Sequence, residues 1–234
     1  MDLKNHVVLL SGATGALGAA FATFVLKNGG KVAAAVRKSR QVASVTALLG
    51  SERVLAGCVG PGDSEAAAGF VKGAQDALGP ITALVCASGH WSGAPVGKEP
   101  AGELLDLLEA NLLFGANLAR AVIGGMRRRR SGSLVFVGSA AVGADGAGAN
   151  YLASKAAVHE YVRALARELD GSGVRAAAIL PTTIDTEQSR KLMPEADRSQ
   201  WLSLDRVVEV LAQHAFSGTT GAGSDGGPLY PLRK

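Results

Sequence analysis

The feature that most constrains this chain is a rhythm. Six short apolar runs, at residues 6–10, 31–36, 53–58, 81–87, 134–138 and 174–180, are separated by longer stretches with helical periodicity. Short apolar runs bounded by turn residues read as strands buried on both faces. Helices fit between them at 15–28, 41–49, 64–78, 102–126 and 151–169, and a further one at 204–216. Strand and helix in alternation imply a parallel sheet with crossover helices. In the helix at 151–169, Val158, Tyr161, Val162, Leu165 and Leu169 recur at helical spacing and form its expected buried stripe. At 234 residues, with 47% hydrophobic and 19% charged residues, the chain suits a single domain over 1–234. Residues 182–203 are polar and less periodic, and read as a mobile substrate segment over a cleft.

The turn after the first strand carries the first chemical signal. Ser11 to Gly18, SGATGALG, opens directly into a helix, the context in which a glycine pattern binds phosphate. Gly12, Gly15 and Gly18 allow a tight turn and close backbone approach, while the N–H groups of Thr14, Ala16 and Leu17 lie where a helix N-terminus meets an anion. A close helix–strand crossing would use the same glycines. The complete strand, turn, helix and second strand favour a dinucleotide. After the second strand stand Arg37, Lys38 and Arg40, with no acid placed to accept a ribose 2′-hydroxyl. Arginine there suits a 2′-phosphate, so NADP(H) is favoured over NAD(H), against the plainer reading of a solvated basic loop.

The second signal is Tyr151 to Lys155, YLASK, with Ser139 twelve residues upstream. Four apart on a helix, Tyr151 and Lys155 share a face. An ammonium beside a phenol stabilises the phenolate and is expected to lower its pKa, which makes Tyr151 a general acid. Ser139 follows the strand at 134–138, where its hydroxyl can hold a substrate oxygen against the tyrosine. Such a pair can also open an ordinary amphipathic helix; its position after the fifth strand is what gives it weight.

The bulk numbers exclude other chemistries. The formal charge is +4, and Arg127–Arg130 is the one dense basic run. It falls between an expected helix and an expected strand and has no interleaved aromatics, so it reads as a solvated loop rather than a nucleic-acid site. Cys58 and Cys86 lie in strand-like segments and read as buried thiols. The four histidines show no ligand spacing, so no metal is expected. No signal pattern and no uncharged apolar run of membrane-spanning length is seen, which gives a cytoplasmic protein as the expectation.

With these residues in hand, the chain resembles the short-chain dehydrogenase/reductase family over essentially its whole length. The order of glycine turn, Asn111, Ser139, Tyr151, Lys155 and the segment from Pro181 to Thr186 carries the resemblance. It implies a Rossmann fold, a doubly wound seven-stranded parallel sheet in the order 3-2-1-4-5-6-7. It further implies that Tyr151 is the general acid/base, that Lys155 lowers its pKa and holds the nicotinamide ribose, and that Ser139 orients the substrate carbonyl. Asn111 would anchor a proton-relaying water. Ala87, Ser88, Gly89, Pro181, Thr183, Ile184 and Thr186 are implied in cofactor contact. Members commonly pair through the helices holding Asn111 and Tyr151, which implies a homodimer or homotetramer. This chain departs from the usual pattern at Ala16, at Cys86 to Gly89 and at Cys58-Val59.

A narrower similarity is to dihydropteridine reductases, in ILPTTIDT (Ile179 to Thr186), RKLMPEAD (Arg190 to Asp197) and VCASGHW (Val85 to Trp91). By that analogy Trp91 walls the substrate pocket, though a large residue covering a loop would look the same. Together these readings give an NADPH-dependent oxidoreductase that transfers hydride to a carbonyl or imine of a small molecule. Its expected pocket holds His90, Trp91, Ser139, Thr183 and the stretch 186–201. The rival readings are a quinonoid dihydropteridine reductase and a non-catalytic NADP(H) sensor.

Overall fold

The computed structural model describes residues 1–50, 52–143, 147–217 and 227–234. Its centre is β1 (Val7–Ser11), fully buried and flanked by β2 (Lys31–Val36) and β4 (Ala83–Cys86), both parallel to it. β3 (Val54–Cys58) adds outside β2, while β5 (Gly132–Val137), β6 (Val174–Pro181) and β7 (Leu229–Leu232) extend the other side. The sheet order is 3-2-1-4-5-6-7, as the resemblance implied.

Alternation along the strands feeds two cores. Val7 and Leu9 of β1 pack on one face with α3 (Ser64–Leu78), α5 (Phe114–Arg129) and α6 (Ala149–Glu168). Val8 and Leu10 face the other layer, with Phe21 of α1 (Ala16–Lys27), Val45 of α2 (Arg40–Leu49) and Leu211 of α8 (Leu204–Phe216). The order reverses between β1 and β4, and a crevice opens there at the carboxyl ends of the strands. The expected stripe on α6 is buried at Val158, Val162, Leu165 and Leu169, while Tyr161 is partly buried with its ring edge-on to Phe136.

Several details differ from the sequence reading. The helix expected at 102–126 is α4 (Glu103–Leu108), a π-turn (Glu109–Leu113) and α5 run together. This 27-residue helix is long and apolar enough to cross a membrane, but here it packs on α3, α6 and β5. It also runs past Met126. Arg127 and Arg129 lie in its last turn, and Arg130 caps it in the left-handed conformation, instead of forming a loop. Three guanidinium groups donate to carbonyl oxygens, Arg127 to Glu168, Arg129 to Ile81 and Arg130 to Gly171, which spends the run on the fold itself. Cys86 is buried, but Cys58 is exposed, because it ends the edge strand β3.

Candidate active site

The first wall of the crevice is the β1–α1 turn. Gly12 has φ +84°, and a Cβ there would meet the Ala87 carbonyl carbon at 2.6 Å. At Gly18 a Cβ would stand 2.1 Å from the Gly12 oxygen, so α1 is pressed onto the end of β1. α1 starts at Gly15 with no side-chain cap and no acid in its first turn. Its opening residues Gly15, Ala16, Leu17 and Gly18 line a cleft of about 530 Å³. An anion with two phosphates fits such a terminus, so the residues present suit a dinucleotide. Ala87, Ser88 and Gly89 line the cleft directly beside this turn, and the Ser88 hydroxyl accepts from Ser11 at 3.0 Å.

The far wall is built on β5 and α6. Ser139, Tyr151 and Lys155 all line the cleft and are each under 10% exposed. The Ser139 hydroxyl lies beside Tyr151, close enough to lower its pKa in part, and accepts from the Ala141 N–H at 3.2 Å. Lys155 Nζ donates to the Val137 carbonyl at 2.8 Å. Burial lowers the Lys155 pKa to about 8. The expected lowering of the Tyr151 pKa is not found. Burial raises it, and the Ser139 hydroxyl only partly opposes the rise. Desolvation of the phenolate outweighs an ammonium that is itself desolvated and turned to a backbone carbonyl.

Asn111 stands in the π-turn, buried behind the cleft rather than lining it. Its amide nitrogen donates to Ser154 Oγ at 2.8 Å and to the His90 carbonyl at 3.1 Å, while Oδ1 accepts from the His90 N–H at 2.7 Å. It thereby bolts the loop after β4 onto α6. A second bolt is Glu103, whose carboxylate accepts from Ser92 Oγ at 2.6 Å and from Asn150 Nδ2 at 2.9 Å. Charge and spacing alone did not single out Glu103; its place at the start of α4 is the signal that could have.

The third wall follows β6. Pro181, Thr183, Ile184 and Thr186 line the cleft, with Gln188, Ser189, Leu192 and Met193 beyond them. The latter four come from α7 (Glu187–Leu192) and its end, a helix not anticipated in 182–203. Thr186 caps it, accepting from the Ser189 N–H at 3.1 Å, and Arg190 pairs with Asp185 at 2.6 Å. The segment is tied back where Asp185 N–H donates to the Leu202 oxygen and Leu202 N–H to the Thr183 oxygen, each at 2.8 Å. Trp201 is buried outside the cleft, so the lining ends near Met193 and not at 201. Trp91 lines the cleft and also lies on Gly93, where a Cβ would stand 2.6 Å from the ring.

Thr14, within the glycine turn, and Arg37, just past the end of β2, lie beyond the lining. Thr14 Oγ1 accepts from Gln41 Nε2 at 3.2 Å, and Arg37 Nη2 is 2.9 Å from His90 Nε2. Partial burial, and then the Arg37 charge, lower the His90 pKa, which suits a neutral ring accepting from the guanidinium.

Known proteins match this architecture. The family model for short chain dehydrogenases covers residues 6–197. A 3-oxoacyl-(acyl-carrier-protein) reductase of Pseudomonas aeruginosa is 28% identical, over 99% of this chain and 97% of its own. A dihydropteridine reductase of Dictyostelium discoideum is 35% identical over 56% of this chain and 58% of its own. An oxidoreductase of the short chain dehydrogenase/reductase family from Burkholderia thailandensis superposes with a TM-score of 0.81 at 25% identity, over 97% of this chain and 90% of that one. With its sheet order, glycine turn and serine–tyrosine–lysine wall, the chain is a member of the short-chain dehydrogenase/reductase family of oxidoreductases.

Proposed function

We propose that this oxidoreductase reduces a carbonyl or imine carbon of a small molecule at the expense of NADPH. The observation that carries the reading is the meeting of Ser139, Tyr151 and Lys155 on one wall of a cleft whose opposite wall is the uncapped start of α1. Gly12 to Gly18, Ala87 to Gly89, Lys155 and Pro181 to Thr186 would hold the cofactor, with Arg37 toward a 2′-phosphate. When bound, the nicotinamide cofactor supplies the hydride.

The chain's own residues handle the oxygen and the proton. Burial keeps the Tyr151 phenol protonated at neutral pH, so the acid form is the resting form. The substrate oxygen takes that proton while the Ser139 hydroxyl holds it in place, and the donors are set before the charge develops. Lys155, two-state near pH 8, provides the positive charge one helical turn from the phenolate left behind. Relatives named 3-oxoacyl reductases support a carbonyl substrate.

A second reading, reduction of a quinonoid dihydropterin, draws on the dihydropteridine reductase match and on Trp91 and Met193 at the cleft. The test is NADPH oxidation against aldehydes, ketones, 3-oxoacyl thioesters and a quinonoid dihydropterin, with NADH and Tyr151→Phe in parallel. Turnover of a carbonyl that falls about a thousandfold in Tyr151→Phe supports the main reading. Selective turnover of the pterin moves it to the second. Tight NADPH binding with no turnover of any compound would instead mark a cofactor sensor.

A further inference from the structure

One titratable side chain behind the cleft wall has no part in that chemistry. His159 lies on α6 one turn beyond Lys155 and two beyond Tyr151, so the three share a face. It is buried, and its Nε2 accepts a hydrogen bond from the Ser139 backbone N–H at 3.3 Å. The ring lies against Gly138, where a Cβ would stand 2.7 Å from Nε2.

Strand alternation explains why a side chain is needed there. The Gly138 and Ala140 N–H groups donate toward β6, to the Ile179 oxygen at 2.8 Å and the Pro181 oxygen at 3.0 Å. The Ser139 N–H between them faces the other way. On that side β4 ends at Cys86, which pairs with Phe136, so no strand among the described residues reaches Ser139. A buried N–H left without an acceptor is destabilising, and α6 supplies one through His159. The bond requires a neutral ring with its proton on Nδ1. Burial, then the Lys155 and Arg163 charges, lower the His159 pKa to about 4 and keep it neutral.

We propose that His159 is a positioning residue, which ties the Ser139 backbone to the helix carrying Tyr151 and Lys155 and so fixes the serine and tyrosine hydroxyls against each other. The proposal rests on the reading of Ser139 and Tyr151 as the reacting pair. Because the Ser139 hydroxyl also receives the Ala141 N–H, its direction follows its backbone, and a backbone shift moves it relative to the Tyr151 hydroxyl beside it.

The experiment compares His159→Leu, which fills the space without an acceptor, with His159→Gln, whose amide oxygen can accept. Turnover of the best carbonyl substrate, NADPH dissociation by fluorescence, and Tyr151→Phe are measured together. His159→Leu is expected to lower kcat about ten- to a hundredfold while NADPH dissociation stays within about twofold, with most of kcat recovered in His159→Gln. Nitrogen NMR of the parent's ring is expected to show Nδ1 protonated and Nε2 bare at pH values below the ordinary 6.5. Equal losses in the two His159 variants, an unchanged kcat in His159→Leu, or an Nε2-protonated ring would overturn the proposal. A Tyr151→Phe variant as active as the parent removes the underlying catalytic reading. An inactive Tyr151→Phe beside a fully active His159→Leu sinks the positioning role alone.

Discussion

The two ends of the cleft are built from different kinds of contact. At the α6 end, Ser139, Tyr151, Lys155 and His159 are 5–9% exposed, and each of the last three has its pKa moved by burial. Beyond the glycine turn, Arg37 reaches His90, and Gln41 reaches Thr14, through side chains open to solvent. Buried groups cannot exchange partners without leaving one unsatisfied, whereas exposed charges can. The buried end should therefore govern rate and pH response, and the open end the choice of cofactor.

Lys155→Met should give the largest departure between the ends. Turnover should fall about a thousandfold, since the phenolate loses its charge partner. Stability at pH 7 should rise by about 1 kcal/mol, because a desolvated ammonium is removed while only the bond to Val137 is lost. The sign follows from proton counts. The unfolded chain keeps this proton up to about 10.5 and the folded chain up to about 8, so parent stability should climb with pH between those values. Urea unfolding at pH 7 and pH 10 checks it. A Lys155→Met stability that climbed as steeply as the parent's would assign the effect to another group.

Next in size is the glycine turn, which belongs to the buried architecture although it faces the cleft. Gly18→Ala would force a Cβ to 2.1 Å from a backbone oxygen, and should cost about 3 kcal/mol and weaken NADPH binding. At Gly15 the same Cβ would meet that oxygen at 3.5 Å, an ordinary contact, so Gly15→Ala should melt with the parent. Thermal unfolding of the two variants separates a packing role from a merely conformational one.

Acid should reveal the third effect. The folded His159 resists protonation until about pH 4, whereas the unfolded ring takes its proton near 6.5. Stability should therefore fall as pH drops between those values, by about 3 kcal/mol in all. His159→Gln lacks the titration and should show a flatter acid profile by circular dichroism. Parallel profiles for the two proteins would mean that the ring is not held neutral.

How much of this could be read from the residues follows the same division. The six apolar runs became β1 to β6 because parallel strands buried on both faces are unbroken apolar sequence, a pattern that the half-buried edge strand β3 keeps only in part. β7 carried no such signal, being four residues long with a proline at position 231. The π-turn at Asn111 was hidden because one extra residue in a turn leaves the apolar period almost unchanged. α7 was missed because its six residues are held by the Thr186 cap and the Asp185–Arg190 pair rather than by an apolar stripe. Tyr151, Lys155 and Ser139 were legible through spacing, but the direction of the tyrosine's shift was not, since burial has no local signature. His159 was one of four histidines without ligand spacing; its eight-residue spacing from Tyr151 was the available clue.

The smallest expected effect lies at the open end and tests the comparison most directly. Arg37 Nη2 contacts a neutral imidazole, and a guanidinium bonds a phosphate more strongly than a neutral ring. A 2′-phosphate should displace His90 without breaking anything buried. Arg37→Ala should then weaken NADPH binding about tenfold, or about 1.4 kcal/mol, and leave NADH binding and kcat at saturating cofactor unchanged. The difference between the cofactors should shrink at high salt, because the contact is solvent-exposed. Fluorescence titration of both cofactors into parent and variant at two ionic strengths measures this. Equal weakening of NADPH and NADH would place the arginine against a group the two share, and the open end would then serve binding in general rather than selection between them.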